Sequence, residues 1–152
     1  MNKPALVEKL NQAIALELGA VVQYNHYACV LSGPDRRVWH ELFEHMSEGG
    51  LKDARKFGFR VTVLGGTPTT EHTPVRQASN ITEMLTNALE HEKALVTAYT
   101  EALAQCADNP AYRNLIEEQI AHEHTEVEEL ELFLNKVQKL AVKASASQSK
   151  TA

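Results

Sequence analysis

The chain has 152 residues, of which 43% are hydrophobic and 23% charged, the composition of one globular domain of ordinary size. Its formal net charge of -5 at pH 7 argues against a nucleic-acid partner. There is no long apolar run and no charged and apolar leader, so we expect a cytoplasmic protein with no membrane partner. Cys29 and Cys106 lie far apart in no metal or redox motif, and we expect ordinary helix residues.

The first half of the chain predicts two long amphipathic helices. Apolar residues recur at helical spacing from about Pro4 to Leu31, where Ser32-Gly33-Pro34 breaks the pattern. A second pattern begins after Asp35, the expected helix cap, and ends at Leu64. Each apolar face contains an acid near mid-length, and these acids are Glu17 and Asp53. The adjacent glycines Gly49 and Gly50 fall on the second face, where they would leave room beside the acid.

A long polar connection separates these helices from two more. Gly65-Gly66-Thr67-Pro68 stops the second helix, and the stretch that follows to Ser79 is long enough to run the length of a bundle. Asn80 and Glu83 form a capping box for the third helix. Asn109 and Pro110 are the expected cap and first residue of the fourth, which should reach about Leu140.

The second pair of helices also contains acids in its apolar stripes. Glu92 lies in the third stripe, and Glu123 and Glu126 lie in the fourth. Two short turns and one long crossover between helices 2 and 3 then predict an all-α, up-down-down-up four-helix bundle, an arrangement similar to ferritin-like folds. We expect this bundle to occupy residues 1–140 and the small, polar residues 141–152 to form a disordered tail.

Acids in the buried stripes of all four helices indicate a metal site. One Glu on an apolar face is usually a hydrogen-bonded or partly solvated residue. Carboxylates that meet in a bundle core would repel each other and raise each other's pKa, whereas a di-iron or di-manganese centre would bind them as ligands. The candidate metal ligands are Glu17, Asp53, Glu92, Glu123 and Glu126.

Three segments carry a resemblance to bacterioferritin. The segment Leu16-Glu17-Leu18-Gly19-Ala20-Val21-Val22-Gln23-Tyr24 resembles its first helix, and the similarity continues through Leu64-Gly65-Gly66-Thr67-Pro68 and Glu83-Met84-Leu85. The resemblance implies that Glu17, Glu92 and Glu123 are metal ligands and that Tyr24 hydrogen-bonds a ligand carboxylate. The haem-binding Met of that family corresponds to Leu51, so we expect no haem.

The chain departs from the family pattern in two helices. Where the second helix of the family has Glu-x-x-His, this chain has Gly50 and Asp53, and Glu126 replaces the His of the fourth helix. The ligand set is therefore composed of oxygen donors, which suit hard cations such as Fe(III) or manganese. A small rotation of the fourth helix would add His122, which we otherwise expect at a helix-helix seam.

A second resemblance, to Dps-like mini-ferritins, rests on Gly33, His40, Glu41 and Gly65-Gly66. Of the ligand positions of that family's intersubunit iron site, only His40 and Glu44 are retained. The remaining positions are occupied by Ala28, Arg55 and Phe59, and neither Arg nor Phe ligates iron. We therefore take this resemblance as evidence for fold and packing and expect the intersubunit site to be lost.

These resemblances imply an iron-binding and iron-storage protein that associates with itself, as a dimer or a larger shell. Iron is the expected metal, with manganese as the other candidate. The resemblance leaves open whether the altered centre binds one metal ion, two or none, and whether it acts as a ferroxidase. The alternative is a ferritin-like shell or interaction subunit with a degenerate centre. A third possibility is a carboxylate enzyme that acts on an organic substrate.

Overall fold

Four long helices form the regular structure of residues 1–148. The computed structural model describes residues 1–148, with side chains described as far as Ala144. The helices are α1 Lys3–Val30, α2 Arg36–Val63, α3 Ile81–Ala104 and α4 Pro110–Gln148. Short connections join α1 to α2 and α3 to α4, and the long connection lies between α2 and α3, as the sequence predicts.

Asparagine side chains cap three of the four helices. The Oδ1 atom of Asn80 accepts a hydrogen bond from the Glu83 amide at 3.0 Å, and Asn109 accepts from the Ala111 and Tyr112 amides at 3.2 and 3.3 Å. These caps satisfy amides that have no partner within their own helix. The prediction for α2 was only half right, because Asp35 occupies the cap position without a side-chain hydrogen bond to the helix.

The crossover of residues 64–80 follows α1 from its first half to its last turn. Asn11 binds its beginning, donating to the Thr67 carbonyl at 3.0 Å and accepting from the Thr69 amide at 2.9 Å. Near its end the hydroxyl of Tyr27 donates to the Arg76 carbonyl at 2.6 Å. The chain therefore returns to the far end of the bundle before α3 begins, which confirms the up-down-down-up order.

The buried apolar residues form two clusters, one on each side of the bundle's midpoint. One cluster lies near the N-terminus of α1 and includes Leu6, Leu10 and Phe57, and the other includes Tyr27 and Phe43. In α1 the first cluster ends at Ile14 and the second begins at Ala20, so Glu17 falls between them. The helices thus bring their mid-length acids to a polar layer enclosed by apolar packing.

Helix α4 is longer than the sequence analysis predicted. It continues past Leu140 to Gln148. The sequence Ala-Val-Lys-Ala-Ser-Ala-Ser-Gln contains neither Gly nor Pro, and alanine has the highest helix propensity, so nothing in this stretch stops the helix. The rest of the predicted tail, residues 149–152, lies outside the described residues. Within residues 1–148, no helix combines the length and the apolar character needed to cross a membrane.

Candidate metal centre

All five predicted acids line one cavity at the midpoint of the bundle, and Tyr24 lines it with them. α1 contributes Glu17, α2 contributes Asp53, α3 contributes Glu92, and α4 contributes Glu123 and Glu126. The exposed fractions of Glu17, Glu92 and Glu123 are only 2%, 3% and 3%. Each of the five acids therefore lies on the face of its helix that borders the cavity.

Three of the acids form a compact group that could hold a metal ion. Glu17, Asp53 and Glu123 each offer a carboxylate oxygen, and these three atoms lie within 4.8 Å of one another. The oxygens come from three different helices, so their spacing is set by the packing of the bundle. Such a group of oxygen donors is suited to a hard cation.

Glu92 and Glu126, the other two acids of the cavity, differ in their exposure to solvent. The hydroxyl of Tyr24 donates a short hydrogen bond to Glu92, and both side chains are buried. Glu126 is about one-fifth exposed and lies 3.8 Å from His122 Nε2, measured to its Oε1 atom. Glu92 is therefore held inside the bundle, whereas Glu126 stands toward solvent.

Burial and mutual repulsion raise the pKa values of these carboxyl groups. The pKa of Glu17 stands well above its ordinary value, because the group is buried and faces the charge of Glu123. The same two causes raise the pKa of Glu92 well above its ordinary value. Burial also raises the pKa values of Glu123 and Glu126. Without a bound cation, these carboxyl groups therefore hold their protons to higher pH than ordinary carboxyl groups do.

Two hydrogen-bonding residues of the site were not predicted. Tyr99 donates from its hydroxyl to Glu17 Oε1 at 2.6 Å, and Gln119 donates from Nε2 to Glu123 Oε1 at 2.6 Å. Both are buried. Sequence signals did exist, since Tyr99 follows Glu92 by two helical turns and Gln119 precedes Glu123 by four residues, which places each on the same face as its neighbouring acid.

The two glycines of α2 differ in the space that they leave. A Cβ atom added at Gly50 would lie 3.1 Å from the Glu17 backbone oxygen and 3.4 Å from its Oε2 atom, whereas one added at Gly49 would contact nothing within 4 Å. The expectation that both glycines create room beside the acid was therefore wrong for Gly50. There the missing side chain allows α1 and α2 to approach closely.

The size of the cavity limits what it can hold. The centre of a water molecule can occupy a volume of about 20 Å³ in the cavity, which is roughly enough for one water molecule. This volume accommodates a small ion, and an organic molecule does not fit within the cavity itself.

An outer pocket adjoins the cavity between α2 and α4. It encloses about 330 Å³ and shares Gly49, Asp53, His122 and Glu126 with the cavity. His122 thus lies where the buried acids meet the open pocket, closer to the site than the seam position first expected for it. The shared residues make this pocket a route between solvent and the acids.

Comparison with known proteins agrees with this geometry. The ferritin-like domain family matches residues 7–140. The bacterioferritin of Brucella melitensis is 31% identical over 144 residues, which span 91% of this chain and 88% of that protein. Sequence and site therefore point to the same family.

Solved structures show the same bundle. A ferritin-like, diiron-carboxylate protein from Bacillus anthracis superposes with a TM-score of 0.85 at 32% identity, covering 88% of this chain and 98% of that one. The Desulfovibrio desulfuricans bacterioferritin, which has a diiron site, superposes with a TM-score of 0.85 at 24% identity and covers 96% of this chain and 87% of its own. At that identity the likeness concerns the fold alone. The chain belongs to the ferritin-like family and is a distant homologue of the bacterioferritins.

Proposed function

We propose that this protein binds iron at the carboxylate centre of each subunit, oxidises Fe(II) there and serves in iron storage. The observation that carries the proposal is the convergence of Glu17, Asp53 and Glu123 oxygens within 4.8 Å in the interior of the bundle. Buried carboxylates this close together are costly unless a cation or protons offset their charge. Family membership and the diiron-carboxylate relative from Bacillus anthracis give iron priority over other hard cations.

The oxygen donors of the centre suit iron, although the imidazole ligands of the family pattern are absent from these positions. Glu17, Asp53 and Glu123 would hold an ion at the centre, while Glu92 and Glu126 would complete its ligands or those of a second ion. Oxygen donors stabilise Fe(III) more than Fe(II), so this set favours the oxidised product. Loss of imidazole ligands weakens Fe(II) binding relative to Fe(III), and we therefore propose that the centre retains Fe(II) only weakly before oxidation.

Two tyrosines prepare the acids for this role. Tyr24 donates to Glu92, and Tyr99 donates to Glu17. A hydroxyl donor stabilises a carboxylate and fixes its direction, which is the usual way in which surrounding residues orient metal ligands. When bound, iron supplies the redox chemistry, in which each Fe(II) gives one electron to oxygen or hydrogen peroxide. The carboxyl protons released on binding can leave through the outer pocket beside His122 and Glu126.

Storage requires that copies of the chain associate, and we include a homo-oligomer in the proposal. Large apolar side chains are exposed on α2 and α4, and they include Val38, Phe59, Val63, Leu132 and Leu140. Val38 and Leu140 line one apolar groove between α2 and α4, and a contiguous exposed apolar surface is typical of a contact with another chain. Native mass spectrometry or light scattering measures the assembly, and a monomer would contradict the storage role.

Iron oxidation is the direct test. Fe(II) is added anaerobically to the metal-free protein, air is admitted, and near-ultraviolet absorbance follows Fe(III) formation. We expect oxidation in proportion to the number of subunits, lost in Glu17→Gln and Glu123→Gln. Glu128→Gln is the matched control, because Glu128 is an exposed acid on α4. Equal oxidation by all four proteins would eliminate the proposed centre.

The second candidate is a structural or shell subunit with a degenerate centre. The close contact at Gly50 favours it, because the position of one acid expected for the family is taken up by helix packing. This candidate predicts a stable oligomer in which no metal binds and in which Glu17→Gln changes stability alone. Metal titration of the wild type distinguishes the two functions.

A further inference from the structure

A buried amide connects a lysine on α2 to the metal centre. Lys56 Nζ donates to Gln119 Oε1 at 2.6 Å, and Gln119 Nε2 donates to Glu123 Oε1 at 2.6 Å. Gln119 is only 2% exposed. Lys56 is partly buried, and its ammonium group lies 5.0 Å from the centre of the Phe57 ring. The three side chains form one continuous path from the bundle surface to Glu123.

The chemistry of this path fixes the orientation of the amide. An ammonium group can only donate hydrogen bonds, so Gln119 must turn its carbonyl oxygen toward Lys56. Its NH₂ group then faces Glu123, whose carboxylate accepts. The reversed amide would place NH₂ against the ammonium group and a carbonyl oxygen against the carboxylate. Both contacts would be repulsive, so Lys56 holds Gln119 in the orientation that donates to the acid.

We propose that Lys56 and Gln119 are positioning residues that fix the Glu123 carboxylate for metal binding. This inference rests on the proposed function of the centre. Glu123 is one of the three acids whose oxygens lie within 4.8 Å of one another, and Gln119 donates to one of its two oxygens. A donor at Oε1 fixes the rotation of the Glu123 carboxylate, which also offers an oxygen to the group that would hold the ion. Lys56 acts on the metal through Gln119 and contacts no ligand directly.

The direction in which metal affinity changes when Lys56 is replaced distinguishes a positioning role from a simple effect of charge. Lys56 is a cation near a cation site, so its charge by itself opposes metal binding through Coulomb repulsion. If charge alone mattered, replacing Lys56 by methionine would strengthen metal binding. If Lys56 positions Gln119, the same replacement leaves Gln119 Oε1 without its donor, loosens the amide and weakens metal binding. The two explanations therefore predict opposite changes in affinity.

Mn(II) binding measured by electron paramagnetic resonance is the experiment, because Mn(II) is stable in air and separates affinity from oxidation. We expect Lys56→Met and Gln119→Met each to weaken binding by about tenfold to a hundredfold, the usual effect of losing a residue that orients a ligand. The double variant should be no weaker than Gln119→Met, since both residues act through one hydrogen-bonded path. Lys93→Met, which removes an exposed lysine on α3, should bind like the wild type.

A measurement on the metal-free protein separates this proposal from the proposed function. The side-chain amide protons of Gln119, followed by nuclear magnetic resonance, should be protected from solvent exchange in the wild type and lose that protection in Lys56→Met. Circular dichroism verifies that each variant is folded. Wild-type protein that binds no Mn(II) would overturn the metal centre, and the amide signals would then decide the hydrogen-bonded path alone. Binding by Lys56→Met as tight as or tighter than wild type, or unaltered Gln119 signals, would overturn the positioning role.

Discussion

Tyr99 donates a 2.6 Å hydrogen bond to Glu17, so a buried acid contributed by one pair of helices is held by a residue from the other pair. Glu17 belongs to α1 and Tyr99 to α3. The hydrogen bond opposes the rise of the Glu17 pKa that burial and Glu123 cause. Tyr99 therefore helps Glu17 to release its proton, which metal binding requires.

We expect Tyr99→Phe to weaken Mn(II) binding by about tenfold to a hundredfold, and more at pH 6 than at pH 8. Without its donor the pKa of Glu17 rises further, and the ion must compete with a more tightly held proton. Titrations at the two pH values measure the effect. Tyr112→Phe is the control, since Tyr112 has no part in the centre. Equal affinity of Tyr99→Phe and wild type at both pH values would show that this hydroxyl plays no role in binding.

The pH dependence of metal-free stability follows from the raised pKa values. In the folded protein the pKa values of Glu17 and Glu92 lie well above 4.5, so between pH 4.5 and those values the folded state holds more protons than the unfolded state. The stability contributed by these groups is complete below pH 4.5 and is lost as pH rises through the folded pKa values. Each extra proton gives a slope of about 1.4 kcal/mol per pH unit.

Glu17→Gln removes the titratable carboxyl group of Glu17, so this residue no longer contributes to the pH dependence of stability. We expect metal-free Glu17→Gln to gain stability relative to wild type as pH rises from about 5 to 8, measured by urea unfolding. The difference between the two proteins isolates the site from the surface acids, which are the same in both. A constant difference over this pH range would mean that Glu17 titrates normally in the folded protein.

The crossover depends on a glycine of α1. A Cβ atom added at Gly19 would lie 2.0 Å from Thr73 Oγ1 and 3.2 Å from the Thr73 backbone oxygen. We expect Gly19→Ala to lower the free energy of unfolding by about 1 to 3 kcal/mol, because the crossover must move away from α1. Gly49→Ala is the matched control, since its Cβ meets open space, and better helix propensity should stabilise it by about 0.5 to 1 kcal/mol. Equal stability changes in the two variants would refute this packing argument.

The fold could be predicted because its signals are local. The caps at Asn80 and Asn109 and the break at Gly65-Gly66 identify helix ends from a few adjacent residues. The apolar stripes give the buried face of each helix, and the length of the crossover gives the topology. The end of α4 was misplaced because a polar, alanine-rich sequence has no stop signal, and its composition alone does not separate a helix from a disordered tail.

The sequence predicts which acids face the interior of the bundle but not which residues of other helices contact them. Periodicity shows that Glu17 and Glu123 point inward, but it cannot show what lies opposite them. The contacts of Tyr99 with Glu17 and of Lys56 with Gln119 join residues 82 and 63 positions apart, and they depend on how the helices pack. The same is true of Gly50, where the sequence suggests empty space and packing instead brings two helices together.

Anomalous diffraction from crystals soaked anaerobically in Fe(II) and then exposed to air tests the metal centre most directly. Data collected on both sides of the iron absorption edge locate iron without reference to activity. We predict an anomalous peak between the carboxylates of Glu17, Asp53 and Glu123, and its absence in crystals of Glu17→Gln. Iron found only on the protein surface, with no peak among these three acids, would contradict the proposed centre.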